Sequence, residues 1–382
     1  SHIPERLPHR DKEIQHLGKL LGSALRNNRP SNAFLYGKTG TGKTIVTKYV
    51  TKYLRERAAN IGKDIVVSLL NCVEVDTDYR VLARLCEEID ESVPFTGLPT
   101  DEVFKRFKKK LDSKRQQLIV IFDELDKLHN KSGDNVLYQL TRINSDLKKA
   151  RVSLVCITND LSFKEVLDPR VRSSLSEEEM VFKPYNASEL EDILADRAKE
   201  GFHDGVLEES VISLCAALAA QEHGDARRAL DLLRVAAEIA ERNSEEKVTE
   251  KHVRKASKQI EKNAVEEVLV SLPVQTKIVL WAVYVLEKSK LKVITTGDLY
   301  KVYLELCKGT SLDPITARRA NSLLNELSML GLVNTKVVSM GRYGRTTKVS
   351  LSVSPREIRN ILVEDYHVKK VSDYSPNDLF DD

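Results

Sequence analysis

Eight residues near the amino end of the chain have the spacing of a phosphate-binding loop. They are Gly37-Lys38-Thr39-Gly40-Thr41-Gly42-Lys43-Thr44, and they fit the pattern G-x-x-x-x-G-K-S/T. Glycines let the backbone wrap around phosphates, while the amides and a helix N-terminus supply positive potential. We expect all eight to contact ATP or ADP, with Lys43 at the β- and γ-phosphates and Thr44 as a Mg²⁺ ligand. The alternative is a glycine-rich turn between a strand and a helix.

A pair of carboxylates follows an uninterrupted apolar run at residues 118–122. An acidic residue at the carboxyl end of a parallel strand, beside a phosphate-binding loop, suits the coordination of Mg²⁺. We assign that role to Asp123. The adjacent Glu124 is a candidate to polarise an attacking water. Asp126 is expected to be structural, for example as a helix cap.

Four more polar residues could act on a γ-phosphate. Asn159 follows another apolar run, where an amide could position water or simply begin a turn. Arg227 opens a predicted helix and could bend back over the phosphates, which would couple that helix to the nucleotide state. Arg170 and Arg172 could reach the γ-phosphate of a neighbouring subunit, or form a solvated face.

The elements that must position these residues alternate along the first half of the chain. Helical periodicity covers residues 13–25, and a second helix runs from the phosphate-binding loop to about Ala59. Apolar runs predict strands at 33–36, 64–70, 118–122 and 152–157. This alternation predicts an α/β fold, with a parallel sheet in a P-loop core over residues 1–183.

The later part of the chain has a different texture. Residues 188–260 are rich in Ala, Leu, Glu and Arg at helical spacing, which predicts an all-helical lid domain over 184–262. After residue 263, helices are predicted at 265–270, 274–288, 296–306 and 315–330, followed by two β-like runs at 332–339 and 346–353. Helices followed by a hairpin predict a C-terminal winged-helix domain over 263–382.

Composition narrows the class of protein. The chain has 382 residues, 41% of them hydrophobic, so several cores can form and a disordered chain is excluded. Sixty basic and 57 acidic residues give a net charge of +3, so a polyanion would need a local patch. No apolar run reaches the roughly 18 residues of a membrane span, so we expect no membrane partner. The five cysteines lack metal spacing and indicate core residues in a reducing cytoplasm.

The predicted winged helix contains the local patch that the overall charge hides. Between Lys308 and Lys348 there are seven basic residues and two acidic ones. Thr316 begins a helix whose buried stripe should contain Ala320, Leu323, Leu324, Leu327 and Leu330. Arg318, Arg319 and Ser322 fall off that stripe and could face a DNA major groove together with Thr316.

A glycine-flanked tip between the two β-like runs adds more basic residues. Arg342, Tyr343 and Arg345 could enter a minor groove, where arginine favours narrow A·T tracts. The alternative is a winged helix used for protein contact.

The order of the motifs resembles the AAA+ ATPases. Three segments, at residues 122–128, 167–171 and 224–227, are similar to the archaeal replication initiators related to the origin-recognition complex and its helicase-loading partner. The resemblance implies a AAA+ core, with Walker A at 37–44 and Walker B at Asp123 and Glu124. It also implies sensor 1 at Asn159 and sensor 2 at Arg227.

Further residues gain a role only through this resemblance. It implies contacts near the base from Arg10, Tyr185 and Arg197. Related initiators often carry an arginine finger where this chain has Ser174, so Arg170 or Arg172 would have to substitute. Residues 76–99 form a longer connection than usual, where initiators have a helical insertion that can touch the minor groove. An ordinary helix plus loop is the alternative.

The resemblance implies a cytoplasmic, nucleoid-associated initiator that binds duplex origin DNA. Such a protein would hold ATP or ADP with Mg²⁺, hydrolyse ATP slowly as a switch, act with paralogous subunits and recruit the replicative helicase. Two alternatives are a DNA-binding regulator with a structural nucleotide and a clamp-loader-like remodeller. Glu124 favours hydrolysis, and the winged-helix pattern disfavours a pure motor.

Overall fold

The computed structural model describes residues 4–94, 96–289, 291, 293–339 and 345–376. It divides the chain into two compact units, Ser1–Ala256 and Ser257–Asp382. The bounds of the three domains drawn from the sequence stay a prediction. In the described ranges no helix combines the length and the apolarity that crossing a membrane requires.

The first unit is built on a parallel sheet with the strand order β2–β3–β4–β1–β5. Its strands are β1 Ala33–Tyr36, β2 Ile65–Asn71, β3 Gln117–Asp123, β4 Arg151–Thr158 and β5 Glu178–Val181. Strands covered by helices on both faces have near-continuous apolar sequences, so four of them were predictable. β5 was missed because this edge strand has two glutamates and buries only Met180.

Helices cover both faces of the sheet. In chain order they are α1 Asp11–Leu21, α2 Lys43–Asn60, α3 Asp78–Glu87, α4 Thr100–Leu111, α5 Leu125–Ser132, α6 Asn135–Arg142, α7 Phe163–Val166 and α8 Pro169–Leu175. The lid helices α9 Ala187–Gly201, α10 Glu209–Glu222 and α11 Ala226–Arg242 follow them in the chain and are not part of the two cores on the sheet. Short 3₁₀ helices occupy Gly22–Arg26 and Ile143–Ser145. α1 ends earlier than its periodicity predicts, because the Ser23 hydroxyl bonds to the Leu20 carbonyl and the backbone tightens into a 3₁₀ turn.

The side-chain alternation of β1 explains the two cores of this unit. Phe34 packs on one face of the sheet with helices α3 to α8, and Leu35 packs on the other with α1 and α2. Neighbouring strands β1, β3 and β4 all end at the same edge. The residues that follow them therefore converge above that edge, where ligands of open parallel sheets bind.

The lid helices start at well-defined caps. α9 begins with a capping box, in which Asn186 and Glu189 each bond the other's backbone N–H at 2.9 Å. α11 begins at Asp225, whose carboxylate accepts from the N–H of Arg227 at 2.7 Å. These caps fix where the first turns of both helices lie.

The second unit has the predicted winged-helix order with additions. After α12 Glu250–Ser271, which begins before the boundary, come α13 Val274–Glu287, β6 Ile294–Thr295, α14 Thr296–Thr310, α15 Ala317–Met329, β7 Val333–Ser339, β8 Arg345–Leu351, α16 Pro355–Leu362 and α17 Tyr366–Lys370. The strands pair antiparallel in the order β6–β8–β7. Trp281 lies fully buried in the core. α16 and α17 were not predicted, although Ile358, Leu362 and Val368 complete that core.

The cysteines are in the cores, as predicted. Cys72, Cys86, Cys156, Cys215 and Cys307 are buried and free. Burial raises the pKa of the Cys86 thiol to about 11. Thiols in such surroundings stay protonated and behave as small apolar side chains.

Candidate nucleotide-binding site and nucleic-acid interface

The phosphate-binding loop joins β1 to α2 and needs glycine where the lid approaches it. Gly40 has φ +70°, and a Cβ there would lie 1.6 Å from Oδ1 of Asp225. Gly42 has φ +95°, and a Cβ there would lie 2.8 Å from the Tyr185 hydroxyl. A positive φ and the close approach of a neighbouring atom each favour glycine. Both positions therefore require glycine for two independent reasons.

The Lys43 ammonium lies inside this loop. Its Nζ donates to the carbonyls of Gly37 at 2.6 Å and Lys38 at 2.8 Å, and to Oδ1 of Asn159 at 2.9 Å. Burial lowers the pKa of Lys43 to about 8, and Arg227 adds to that effect while Asp123 opposes it. The charge of the Lys43 ammonium therefore depends on which charged groups lie beside it in the loop.

A hydroxyl and a carboxylate meet at the start of α2. The Thr44 hydroxyl donates to Oδ2 of Asp123 at 2.9 Å, which joins the helix to the end of β3. Mg²⁺ prefers such hard oxygen donors and usually takes its remaining ligands from phosphates and water. The pair therefore fits a Mg²⁺ that is shared with a nucleotide.

Glu124 and Asp126 follow β3 in different conformations. Glu124 has φ 57° and ψ 49°, a left-handed conformation that costs about 1–3 kcal/mol and is found at functional sites. This turn directs Glu124 into the same cavity as Asp123 and Asn159. Asp126 instead accepts from the Thr158 hydroxyl at 3.3 Å, which fits the structural role expected for it.

A cavity of about 370 Å³ brings most of the candidate residues together. That volume is typical of sites for nucleotide-sized ligands. Its polar wall contains Thr39 to Thr44, Asp123, Glu124, Asn159, Arg197 and Arg227. Its other wall contains Pro4, Leu7, Pro8, Ile45, Tyr185, Ile193 and Leu230. Sequence reasoning missed most of this second wall, because its apolar residues have the same pattern as ordinary core positions.

Gly37, Lys38 and Arg10 do not line this cavity. Arg10 is 5% exposed, and its Nε donates to the Thr41 carbonyl at 2.9 Å. Its Nη2 donates to the Lys183 carbonyl at 2.7 Å, and its guanidinium stacks 3.9 Å from the centre of the Tyr185 ring. Arg10 therefore supports the phosphate-binding loop from behind in this structure, and the contact near the base that the resemblance implies stays a prediction.

The lid arginines face the cavity differently. Arg227 is exposed, and in the described part of the chain its guanidinium has no hydrogen bond or ion pair. Arg197 lines the cavity and pairs with Glu200 at 3.0 Å. The N–H of Ala226 bonds to the Gly40 carbonyl at 3.2 Å, which ties the start of α11 to the phosphate-binding loop.

The candidate arginine fingers lie outside the cavity. Arg170 forms a two-point pair with Asp168 at 3.0 and 2.8 Å and lies 4.8 Å from the Tyr138 ring. Hydrogen bonding to Arg170 lowers the pKa of Asp168 to about 2. Arg172 is exposed. A role of either residue in a neighbouring subunit stays a prediction.

Residues 76–99 contain an amphipathic helix, α3. The Thr77 hydroxyl caps it, and Val81, Leu82 and Leu85 bury one face in the core. Its exposed cations are paired within the segment, with Arg80 on Asp76 at 3.0 Å and Arg84 on Glu87 at 2.7 Å. A contact of this segment with DNA stays a prediction.

In the second unit, α15 carries the candidate recognition residues. The Thr316 hydroxyl caps the helix at Arg319 N–H, and Thr316, Arg318 and Arg319 are exposed. Arg319 lies 3.4 Å from the Ser322 hydroxyl and 3.5 Å from Glu326. The buried stripe is Ala320, Leu323, Leu324 and Leu327. Placing Leu330 in it was wrong, because the helix ends at Met329 and leaves Leu330 51% exposed.

The strands beside α15 add a feature that sequence reasoning did not use. Lys336 and Lys348 are exposed and lie directly opposite each other on β7 and β8. Like charges in that arrangement repel each other, which a polyanion would relieve. Arg342 and Tyr343 lie outside the described residues. Arg345 begins β8.

Comparisons with known proteins match three segments of the chain to domain families. Residues 6–155 match the AAA ATPase domain, residues 191–258 the Cdc6 AAA+ ATPase-type lid domain, and residues 267–361 the CDC6 C-terminal winged helix domain. An ORC1-type DNA replication protein of Pyrococcus abyssi is 53% identical, over 97% of this chain and 89% of that protein.

Two further relatives agree with this result. ORC1-type DNA replication protein 1 of Methanosarcina mazei is 52% identical, over 98% of this chain and 91% of that protein. The structure of the Aeropyrum pernix ORC1 protein in complex with DNA has a TM-score of 0.87 at 47% identity, covering 97% of this chain and 96% of that one. The resemblance drawn from the motifs is confirmed, and the chain belongs to the ORC1-type DNA replication proteins, AAA+ ATPases with a lid domain and a C-terminal winged helix.

Proposed function

We propose that this chain is a replication initiator that binds duplex origin DNA and uses slow ATP hydrolysis as a switch. The observation that carries the nucleotide part is the cavity in which Lys43, Asp123, Glu124 and Arg227 converge. Positive groups, a Mg²⁺-type oxygen pair and a carboxylate above one sheet edge are what phosphoryl transfer to water requires.

Each side chain has a separate task in this proposal. When bound, ATP with Mg²⁺ supplies the phosphoryl group and the charge that polarises it. Thr44 and Asp123 hold the metal, and Lys43 neutralises phosphate charge after exchanging loop carbonyls for phosphate oxygens. Glu124 accepts a proton from the attacking water. Asn159 orients Lys43 and water. Arg227 contacts the phosphates and thereby couples the position of the lid to the bound nucleotide.

The second unit supports the DNA part. Arg318 and Arg319 are exposed at the start of α15, and the facing Lys336 and Lys348 leave positive charge on the adjacent strands. The Aeropyrum pernix relative is described in complex with DNA. We infer that α15 reads a major groove, while the strands and the segment with Arg342, Tyr343 and Arg345 contact phosphates.

The proposal extends to partners on the strength of the family. We infer that paralogous initiator subunits and the replicative helicase bind this protein at origins. Arg170 and Arg172 are our candidates for contacts to a neighbouring nucleotide, because both side chains are exposed on helix α8.

The nucleotide part is tested by separating binding from turnover. We expect Lys43→Ala to lose tight ADP binding, because a phosphate contact is removed. Glu124→Gln should keep ADP affinity and lose about 10²–10⁴-fold in phosphate release, the range typical for a general base. Fluorescent-ADP titration and a phosphate-release assay measure the two effects, and Asp126→Asn is the matched carboxylate control. Unchanged turnover in Glu124→Gln would favour a DNA-binding regulator with a structural nucleotide.

A further inference from the structure

A second cavity, of about 480 Å³, lies at the opposite edge of the sheet. It is formed where β2, β3 and β4 begin, and the 3₁₀ helix after α1 closes one side. The strand β3 has seven residues and carries Asp123 at its far end, which separates the two cavities by roughly 20 Å. This second cavity, here called the basic cavity, is therefore distinct from the candidate nucleotide site.

Five cations line the basic cavity, namely Lys63, Arg115, Lys148, Lys149 and Arg151. The carboxylate in its wall, Asp64, is paired with Lys114 at 2.7 Å. Within the described ranges none of the five cations has a carboxylate at ion-pair distance. An excess of like charges in one concave space favours the binding of an anion.

The hydrogen bonds of these cations leave much of their donor capacity open. Lys63 donates to Oδ1 of Asn27 at 3.0 Å, and Lys149 donates to the Ser113 carbonyl at 3.1 Å. Arg151 donates to the carbonyls of Leu147 and Ala150. Arg115 and Lys148 are exposed, and their side chains have no hydrogen bond with any described residue. These two are the cations freest to reach a ligand.

The loop that carries Lys148 and Lys149 is held rigid from behind. The backbone N–H groups of Lys148, Lys149 and Ala150 all donate to the Asp112 carboxylate, at 2.7 to 3.1 Å. Successive amides that converge on one anion form a nest, and here the protein's own carboxylate fills it. Both lysines are therefore presented from a fixed backbone, which lowers the entropy lost on binding.

We infer that the basic cavity binds an anion with two or more adjacent phosphate groups. The apolar side chains in its wall are those of Ala24 and Ile65, so its described lining has no aromatic ring on which a base could stack. The phosphates come either from a free oligophosphate or from a nucleic-acid backbone whose bases face outward. This inference is independent of the nucleotide and winged-helix roles proposed above.

The test uses the full chain saturated with ADP and Mg²⁺, so that the first cavity is occupied. Tripolyphosphate is titrated by calorimetry into the unaltered protein and the double variant Arg115→Ala/Lys148→Ala. The double variant Lys105→Ala/Lys109→Ala removes the same charge from exposed positions of α4 outside the cavity. We expect the cavity variant to bind tripolyphosphate more than about tenfold more weakly, because charge-assisted hydrogen bonds are lost, and the α4 variant to bind normally.

Parallel titrations with random-sequence duplex DNA identify the source of the phosphates. If the cavity variant binds DNA more weakly and tripolyphosphate competes with DNA for the unaltered protein, the phosphates belong to a nucleic-acid backbone. Unchanged DNA binding with lost tripolyphosphate binding assigns them to a free oligophosphate. Absence of tripolyphosphate binding to the ADP-saturated protein, or equal weakening in both double variants, overturns the inference. ADP affinity and turnover, measured on the same samples, report separately on the proposed function.

Discussion

Lys43 is a titrating cation at the centre of the candidate nucleotide site. Burial brings its pKa down to about 8, far below the ordinary value for lysine. The charged form is therefore the costly one in the free protein, and this cost is fully present below pH 8 and is lost as the pH rises from about 8 to 10.5. Phosphates at hydrogen-bond distance would stabilise the charged form and raise the pKa again.

Nucleotide binding should therefore take up a proton near pH 9. We expect ADP affinity to fall as the pH rises from about 8 to about 10, with uptake approaching one proton. Calorimetry in two buffers of different ionisation enthalpy measures the uptake. Lys43→Arg keeps its charge over this range and is the control. Equal pH dependence in both proteins would mean that another group titrates.

Arg10 holds three parts of the first unit together. It bonds the Thr41 and Lys183 carbonyls and stacks on Tyr185, so it joins the phosphate-binding loop to the start of the lid. A lysine cannot reproduce this arrangement, because a single ammonium lacks the planar fork of a guanidinium.

We expect Arg10→Lys to lower the stability of the unit by about 1–3 kcal/mol, the cost of leaving buried hydrogen-bond partners unmatched. ADP affinity should fall with it, because the loop loses its support. Differential scanning calorimetry and ADP titration measure the two effects. Arg172→Lys, at an exposed position, should change neither. A loss of ADP affinity at unchanged stability would instead support direct contact between Arg10 and the nucleotide.

At the scale of elements, the lid helix α11 and the phosphate-binding loop are in contact through Gly40. The position of a Cβ at Gly40 is already occupied by the Asp225 carboxylate. That carboxylate also caps α11, so a side chain at residue 40 would disturb both the cap and the placement of Arg227.

Gly40→Ala should therefore weaken ADP binding more than backbone strain alone explains. Gly62 provides the matched control, because its φ of +64° is close to the +70° of Gly40 and no atom lies within 4 Å of its Cβ position. Both substitutions cost about 1–2 kcal/mol of stability from strain. Only Gly40→Ala should also reduce ADP affinity, by about tenfold or more if the cap is lost. Similar affinities in both variants would argue against the lid contact.

The sequence predicts a site residue when its position follows from the local sequence pattern, and it does not when the position depends on packing between distant segments. Lys43, Asp123 and Asn159 were predictable, because each follows a buried strand and parallel strands end at one edge. The apolar wall with Leu7 and Ile193 was not, because it exists only after the lid packs on the core. The support that Arg10 gives to the loop was not predictable for the same reason, and its contact with the base stays a prediction.

At the scale of the whole molecule, a net charge of +3 conceals concentrated positive charge. In the described part of the chain, unpaired cations occur at Arg227, in the basic cavity and on the strands β7 and β8. Each is therefore a candidate for binding phosphate in a different form.

DNA-binding measurements should distinguish residues of the second unit that contact base edges from residues that contact only phosphates. We expect Lys336→Ala/Lys348→Ala to weaken origin and random DNA equally, and to reduce the salt slope by about 1–2 units. Arg318→Ala/Arg319→Ala should cost origin DNA an additional 1–3 kcal/mol or so if a base edge is read. Salt titrations on both DNAs measure these effects, with Arg356→Ala on α16 as the exposed control. If neither double variant changes the binding of either DNA, this unit is a protein-docking module.

In the nucleotide cycle proposed above, the main-chain bond from Ala226 to Gly40 would help to retain the nucleotide. A nucleotide seated on the phosphate-binding loop under Arg227 departs when α11 swings away, and that movement must first break the bond. Lid opening limits many enzymes of this kind more than chemistry does. ADP would then stay bound for longer after hydrolysis than it would in an ATPase whose lid lacked this bond. In the switch proposed above, bound ADP would thereby delay the next binding of ATP to the same molecule.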